Sequence, residues 1–144
     1  MGFRYGTVIV FLALLLLVFT TALTRNQVAI IANSDLDIST ISAEKLRSIA
    51  LGKIHKLEGG QYIEFVLQKS GSVHSTFLLT YIGLSPSRYH MYWNRQLFAG
   101  RKTPKSFSSD AEVISYVETT PGAIGYINSS SVEEAKRVKH LEVK

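Results

Sequence analysis

Cysteine is absent from all 144 residues of the chain, and proline occurs only three times. The absence of cysteine excludes a disulfide, a thiolate metal site, a cysteine nucleophile and a lipid-modified N-terminal cysteine. A chain of this length is enough for one domain, which can bury one modest core. An exported form of the protein therefore depends on that core alone for its stability.

Long runs of one charge and the common catalytic motifs are also missing. No block of five like charges occurs, although the formal net charge is +5, so we expect no nucleic-acid partner. The sequence has no Gly-x-Ser-x-Gly elbow, Walker loop or His-Glu-x-x-His, and its four histidines share no metal-ligand spacing. It therefore predicts no enzyme activity, no metal site and no cofactor. The mildly basic balance suits an anionic ligand or an anionic membrane surface.

Residues 1–24 have the composition of a targeting segment. An unbroken apolar run at 8–19 follows Arg4, and small residues ending at Ala22 follow the run. This pattern is typical of a signal peptide, with Ala22 at the cleavage site. Because the apolar stretch at 7–23 comes close to the length that spans a bilayer, an uncleaved membrane anchor is the alternative. Both interpretations place the following domain in the periplasm or elsewhere in the cell envelope.

Residues 27–144 are predicted to form one α/β domain. Continuous apolar runs predict strands, and capping residues and apolar stripes predict helices between them. The alternation indicates a sheet with crossover connections, flanked by helices. The predicted strands are 28–32, 62–67, 123–127 and 140–143. The predicted helices begin at the N-cap Ser42, near Val73, at Pro86 after Ser85, and at capping boxes that start with Ser109 and Ser131. Residues 33–40 are predicted to be turns and 101–108 a basic loop.

A loop of small and hydroxylated residues joins the second predicted strand to a helix. It contains Ser70, Gly71 and Ser72, and Ser75 and Thr76 follow just inside the helix. The first turn of a helix has unpaired backbone N–H groups and a partial positive charge, and small residues let an anion approach them. The segment is therefore a candidate oxyanion site. The alternative is an ordinary N-cap and turn without a ligand.

Two further features have simpler interpretations as structure. His74, a lone histidine in the first helical turn, is predicted to be a surface residue. The aromatic helix invites a sugar- or base-stacking interpretation, but the spacing of Tyr89, Tyr92, Trp93 and Gln96 is typical of a face packed on the core.

The order of these features resembles the phosphate-type periplasmic substrate-binding proteins of ABC transporters. The similar pieces are the strand at 28–32, the segment 41–54 with its Leu-Gly-Lys-Ile, the Ser-Gly-Ser loop, the aromatic helix through Gly100, and Pro-Gly-Ala-Ile-Gly-Tyr at 121–126. The family fold is a pair of type 2 α/β lobes that clamp an oxyanion between helix N-termini and Ser/Gly/Thr loops. The chain resembles the short form with one lobe, the second, built on a mixed sheet flanked by helices.

The resemblance implies an exported domain that binds inorganic phosphate or a similar oxyanion in ABC-type uptake or sensing. The site carried over is the Ser70–Thr76 segment, and the implied partners are a membrane transporter, a sensor or a second copy of the chain. Gln68 and Lys69 stand where phosphate-selective members carry an arginine and an acidic residue, and Leu57 stands near the usual place of a tryptophan. The alternative function is an envelope interaction module that has lost ligand binding.

Overall fold

The computed structural model describes residues 28–144. The predicted targeting segment, residues 1–24, lies outside the described residues, as do the predicted cleavage site at Ala22 and the alternative anchor at 7–23. Within residues 28–144, no helix has the length and apolar character needed to cross a membrane.

The described chain contains six strands and four α-helices. The strands are β1 (Val28–Ala32), β2 (Thr40–Ile41), β3 (Glu64–Gln68), β4 (Lys105–Phe107), β5 (Ala123–Asn128) and β6 (Lys139–Val143). The helices are α1 (Ala43–Ala50), α2 (Ser72–Phe77), α3 (Pro86–Phe98) and α4 (Asp110–Thr119). A wider helical turn, Leu78–Ile82, continues α2, and a short 3₁₀ helix, Ser129–Glu134, follows β5.

All six strands form one mixed sheet in the order β2-β6-β1-β5-β3-β4. Strand β1 pairs antiparallel with β5 and with β6, whereas β3 runs parallel to both β5 and β4. Helices cover both faces, so the predicted α/β architecture with a mixed sheet flanked by helices is confirmed.

Alternate side chains of the central strands enter two separate hydrophobic cores. Ile30, Phe65 and Tyr126 point to the face covered by α1, α2 and α3. Ile31 and Val66 point to the opposite face, which α4 covers. This period of two is the geometry of a strand buried on both faces, and it explains why the strand sequences are continuously apolar.

Gly125 lets α4 approach the sheet closely. A Cβ atom at this position would lie 2.8 Å from Cγ2 of Val66 and 3.0 Å from Cγ1 of Val113. Because these distances are shorter than ordinary carbon contacts, only glycine fits between α4 and β3 without displacement of the helix.

Three of the predicted helix starts are confirmed. Ser42, Ser85 and Ser109 are N-caps whose hydroxyls accept a hydrogen bond from a backbone N–H of the first turn. The predicted capping box at Ser131 is wrong, because Asn128 caps the 3₁₀ helix and the Ser131 hydroxyl donates to Asp110 instead.

Two short strands replace predicted loops. Residues 105–107 form β4 within the segment predicted to be a basic loop, and Thr40–Ile41 forms β2 at the end of the predicted turn region. Both are edge strands of only two or three residues, and Thr40, Lys105 and Ser106 are exposed, so they lack the apolar run that marks a buried strand. Parallel pairing of β4 with β3 holds this segment against the sheet.

Two tyrosines of α3 hold the end of α1. The Tyr89 hydroxyl donates to the Ala50 carbonyl at 2.7 Å, and the Tyr92 hydroxyl donates to the Leu51 carbonyl at 2.6 Å. The last carbonyls of a helix have no partner within the helix, so these hydroxyls satisfy groups that burial would otherwise penalise. The predicted core role of Tyr89 and Trp93 is confirmed by their burial.

Candidate functional site

A cleft of about 780 Å³ opens beyond the carboxyl end of β3. Its first wall is the end of β3, the following loop and the start of α2, which contribute residues 67–71, 74 and 75. Helix α3 forms the second wall, and residues 103, 104 and 106 close the third side. Ligands of α/β sheets bind outside the carboxyl ends of the strands, so the position of this cleft is that of a binding site.

Three of the five predicted site residues border the cleft. Ser70, Gly71 and Ser75 contribute to its lining, whereas Ser72 and Thr76 lie outside that lining. Gly71 has a φ of 102°, a conformation that favours glycine. The Ser75 hydroxyl donates to the Gly71 carbonyl at 3.1 Å, which fixes the turn into α2.

The charge of the lining is positive. Lys69, at the exposed rim, supplies this charge. No aspartate or glutamate occurs among the described residues that line it. The Lys69 backbone N–H donates to the Phe107 carbonyl at 2.8 Å, so β4 holds the loop in place. This environment favours an anion over a cation.

The floor of the cleft contains Gln68, whose orientation is fixed by buried hydrogen bonds. Its side-chain amide donates to a carboxylate oxygen of Asp110 and, at 3.4 Å, to the Tyr126 carbonyl. The other Asp110 oxygen accepts the Asn128 N–H at 3.1 Å and the Ser131 hydroxyl at 2.7 Å. Asp110 therefore supports the floor of the cleft from below, although it stands 42 positions away from Gln68.

His74 is buried, so its prediction as a surface residue is wrong. Only 8% of the residue is exposed, and its ring lies between the rings of Tyr126 and Tyr89. Nδ1 lies 2.6 Å from the Tyr126 hydroxyl. Burial lowers the pKa of His74, so the neutral imidazole is the favoured form. A lone histidine in a first helical turn is usually exposed, but here Tyr126 and Tyr89 pack against this face of α2.

Tyr126 organises the aromatic cluster beneath the cleft. Its ring stacks on Phe77 with centroids 3.9 Å apart and an interplanar angle of 6°. Its hydroxyl accepts the Gln68 backbone N–H at 3.1 Å, and burial raises its pKa. Tyr126 ends the Pro-Gly-Ala-Ile-Gly-Tyr segment, which carries part of the family resemblance. The resemblance drew attention to this segment, but the sequence did not predict the role of Tyr126 beneath the cleft.

The only tryptophan of the chain, Trp93, also borders the cleft. A Cβ atom on Gly52 would lie 2.6 Å from Cη2 of its indole, so the glycine of the Leu-Gly-Lys-Ile segment makes room for this ring. Farther along α3, Leu97 and Phe98 are 55% and 93% exposed and extend the cleft wall into an apolar surface.

Metal chemistry has no support in the described chain. Within residues 28–144, no three histidine, aspartate or glutamate side chains come together as a group that could hold a metal ion. The cleft offers hydroxyls, imidazoles and one ammonium group as hydrogen-bonding groups.

Comparison with known proteins identifies the fold at low sequence identity. No protein-family model and no curated protein matches the sequence. Solved structures do match. An ABC-type phosphate transport receptor from Vibrio cholerae has a TM-score of 0.60 and 20% identity, over 81% of this chain and 45% of that one. PstS from Borrelia burgdorferi has a TM-score of 0.61 and 21% identity, over 81% of this chain and 47% of that one.

A third solved structure holds a ligand. It is a substrate-binding protein from Clostridium perfringens, assigned to a phosphate ABC transporter and solved with bound phosphate. Its TM-score is 0.60 and its identity 23%, over 81% of this chain and 44% of that one. The chain therefore spans less than half the length of these three proteins. Its described domain has the α/β fold of one lobe of the substrate-binding proteins of phosphate ABC transporters.

Proposed function

We propose that this protein is an exported domain that binds phosphate or a similar oxyanion in ABC-type uptake or sensing in the cell envelope. The observation that carries the proposal is the cleft beyond β3. Its wall contains Ser70, Gly71 and Ser75, and Lys69 lies at its rim. An oxyanion suits these groups because hydroxyls, N–H groups and an ammonium donate hydrogen bonds, and no lining carboxylate repels it.

The fold supports the same proposal. Two of these solved proteins are named for phosphate transport, and one of the two was solved with bound phosphate. The present chain covers one lobe of such proteins. A site open on one side leaves its ligand in contact with water, where each hydrogen bond contributes less than in a closed cleft. We therefore expect the single chain to bind phosphate weakly, and a second lobe or second copy to tighten binding.

The direct test is a phosphate titration of the full-length chain in mild detergent. Heat of binding and the emission of Trp93 are both measured, since this tryptophan borders the cleft. Ser70→Ala is expected to weaken binding, whereas Ser34→Ala, a change of the same kind at an exposed residue outside the cleft lining, is expected to leave it unchanged. No heat and no change in emission at millimolar phosphate or sulfate would exclude the proposal.

A second candidate function is an envelope interaction module. Three large hydrophobic residues of α3, Met91, Leu97 and Phe98, are more than half exposed, and two of them border the cleft. Exposed large apolar side chains grouped on one helix are typical of a contact between proteins. The half of the fold that this chain does not cover would then be supplied by a partner or a second copy.

Sedimentation of the full-length chain in detergent distinguishes the two candidates. A dimer that Phe98→Ser dissociates, in a chain that binds no phosphate, would support the interaction module. Leu79→Ser is the matched control, because Leu79 is also exposed but lies outside α3 and the cleft lining. A monomer that binds phosphate would contradict the second candidate.

A further inference from the structure

The ring of His74 has one defined orientation. Its centroid lies 6.3 Å from that of Tyr126, in a stacked arrangement, and 6.5 Å from that of Tyr89, in an edge arrangement. These two rings come from β5 and α3, so both neighbours belong to rigid elements. An imidazole held in this way presents the same edge to the cleft in every molecule.

The hydrogen bonds around Tyr126 determine which nitrogen of His74 carries the proton. The Tyr126 oxygen accepts the Gln68 N–H at 3.1 Å. Its own O–H proton is then free to be donated, and His74 Nδ1 is the acceptor at 2.6 Å. A neutral imidazole that accepts at Nδ1 carries its hydrogen at Nε2. The chain Gln68 N–H, Tyr126 O–H, His74 Nδ1 therefore favours the Nε2–H tautomer.

The Nε2–H group has no partner in the described part of the chain. No hydrogen bond to His74 Nε2 occurs there. The only buried side-chain polar atom without a partner in this part of the chain is Nε1 of Trp93, so Nε2 of His74 is accessible. Because His74 borders the cleft beside Ser70, Gly71 and Ser75, the accessible edge of the ring faces the same space. A residue more than nine-tenths buried thus directs one unpaired donor toward the candidate ligand.

From this geometry we infer that His74 is a further binding residue of the cleft, donating from Nε2–H to an oxygen of the bound oxyanion. Tyr126 is the positioning residue that keeps the donor in the correct tautomer. The inference rests on the proposed function and adds a neutral donor to the predicted Ser70–Thr76 segment. A hydrogen bond from a neutral donor in a partly desolvated site is strong when the acceptor is an anion.

The test begins with the unaltered full-length chain in mild detergent, labelled with ¹⁵N in its histidines. Long-range ¹H–¹⁵N correlation spectra report the tautomer of each ring, and substitution of each histidine in turn assigns the signals. His74 is expected to show the Nε2–H pattern without ligand, and its Nε2 signal is expected to move on addition of inorganic phosphate. His140, which lies outside the cleft lining, is the internal control.

Three variants then distinguish a ligand-binding role of His74 from a purely structural role. His74→Phe is expected to weaken phosphate binding roughly tenfold to hundredfold, the range for a lost hydrogen bond to a charged group. His74→Gln keeps an N–H donor and is expected to restore most of the affinity. Tyr126→Phe is expected to give a mixture of His74 tautomers with intermediate affinity. A purely structural role of His74 predicts no movement of the Nε2 signal with phosphate.

The outcomes distinguish this inference from the proposed function. If the unaltered chain binds phosphate while the Nε2 signal of His74 stays still, or if His74 is an Nδ1–H tautomer, the inference is wrong and the proposed function stands. If the chain binds neither phosphate nor sulfate, both are wrong. Phosphate binding, an Nε2–H tautomer and a ligand-dependent Nε2 signal together support both.

Discussion

The side-chain amide of Asn33 donates to the Val117 carbonyl at 2.8 Å, across 84 positions of sequence. The same amide reaches the Glu118 carbonyl at 3.1 Å, and the Asn33 side-chain oxygen accepts the Asp35 N–H. Asn33 directly follows β1 and is 3% exposed. One buried side chain therefore joins the end of β1 to the last turn of α4 and satisfies carbonyls that α4 cannot pair itself.

Asn33→Ala is expected to lower the free energy of unfolding by about 2–3 kcal/mol. The change removes a buried donor and leaves the Val117 carbonyl without a partner, which costs the desolvation of that group. Denaturant unfolding followed by circular dichroism measures the effect. Asn94→Ala on the exposed face of α3 is the matched control and is expected to stay within about 0.5 kcal/mol. Equal losses in both variants would contradict the assigned role.

Tyr89→Phe is expected to lower the free energy of unfolding by about 1–2 kcal/mol. The ring stays in place, but the buried Ala50 carbonyl loses its donor. Tyr62→Phe provides the comparison, because Tyr62 is 70% exposed and its hydroxyl has no hydrogen bond in the described chain. We expect no measurable change for Tyr62→Phe. A null result for Tyr89→Phe would show that the end of α1 is satisfied by water.

Gly125→Ala is expected to lower the free energy of unfolding by about 1–3 kcal/mol, the cost of overpacking a core. The new methyl group would meet Val66 at 2.8 Å, so α4 or β3 must move. Gly59→Ala is the control, since nothing lies within 4 Å of a Cβ there. Its expected effect is close to zero or slightly stabilising. Similar values for both glycines would refute a close approach of α4.

The stability of the domain is expected to depend on pH through His74. Burial lowers its pKa below the ordinary 6.5, so the unfolded chain takes up the proton at higher pH than the folded chain. The contribution of the neutral His74 ring to the free energy of unfolding is fully present above about pH 6.5, the ordinary pKa of histidine. It is lost as the pH falls toward the lowered pKa of the folded chain. Tyr126 and Tyr89, the titratable groups packed against the ring, stay neutral in this range because burial raises their pKa values.

His74→Gln removes this titration. The melting temperature of the variant is therefore expected to fall less than that of the unaltered chain between about pH 7 and pH 5. His140→Gln, which changes an exposed residue of β6, is expected to follow the unaltered chain. Parallel profiles for the His74 variant and the unaltered chain would argue against a buried neutral imidazole.

Lys69→Met is expected to weaken phosphate binding by roughly twofold to fivefold, as for an exposed ion pair. Lys69 is the only lysine or arginine among the described lining residues. The salt dependence of binding should also decrease, because added salt screens an exposed charge. Lys136→Met makes the same charge change at an exposed position outside the cleft lining. Equal weakening by both variants would indicate a general effect of net charge.

Local sequence rules predicted most of the framework. Continuous apolar runs identified β1 and β5, and hydroxyl caps placed the starts of α1, α3 and α4. Each of these signals depends on neighbours within a few residues, so one sequence contains it in full. The resemblance in the Leu-Gly-Lys-Ile and Pro-Gly-Ala-Ile-Gly-Tyr segments correctly predicted the fold of one lobe of these substrate-binding proteins. Their glycines occupy positions where Trp93 and α4 approach closely.

The parts that the sequence could not predict depend on distant pairings. His74 packs against Tyr126 of β5, and Asp110 at the start of α4 supports Gln68 at the end of β3. Strand β4 has exposed residues and exists because β3 offers a parallel edge. The hydrophobic periodicity of one segment contains no information about a hydrogen-bond partner that lies 40 or more positions away in the sequence. Three of the five predicted site residues border the cleft, while the contacts that support its floor appear only in three dimensions.

The pairing of β1 has a consequence for how the protein reaches its folded state. Val28 is aligned with Asn128 and Ile30 with Leu141, so both neighbours of this first strand come from the last quarter of the chain. A ribosome must produce nearly the whole domain before β1 can pair, and loop closure over such distances slows folding. Until then the apolar residues of β1 stay uncovered. The sheet can therefore close around β1 only after the last strand of the domain has been synthesised.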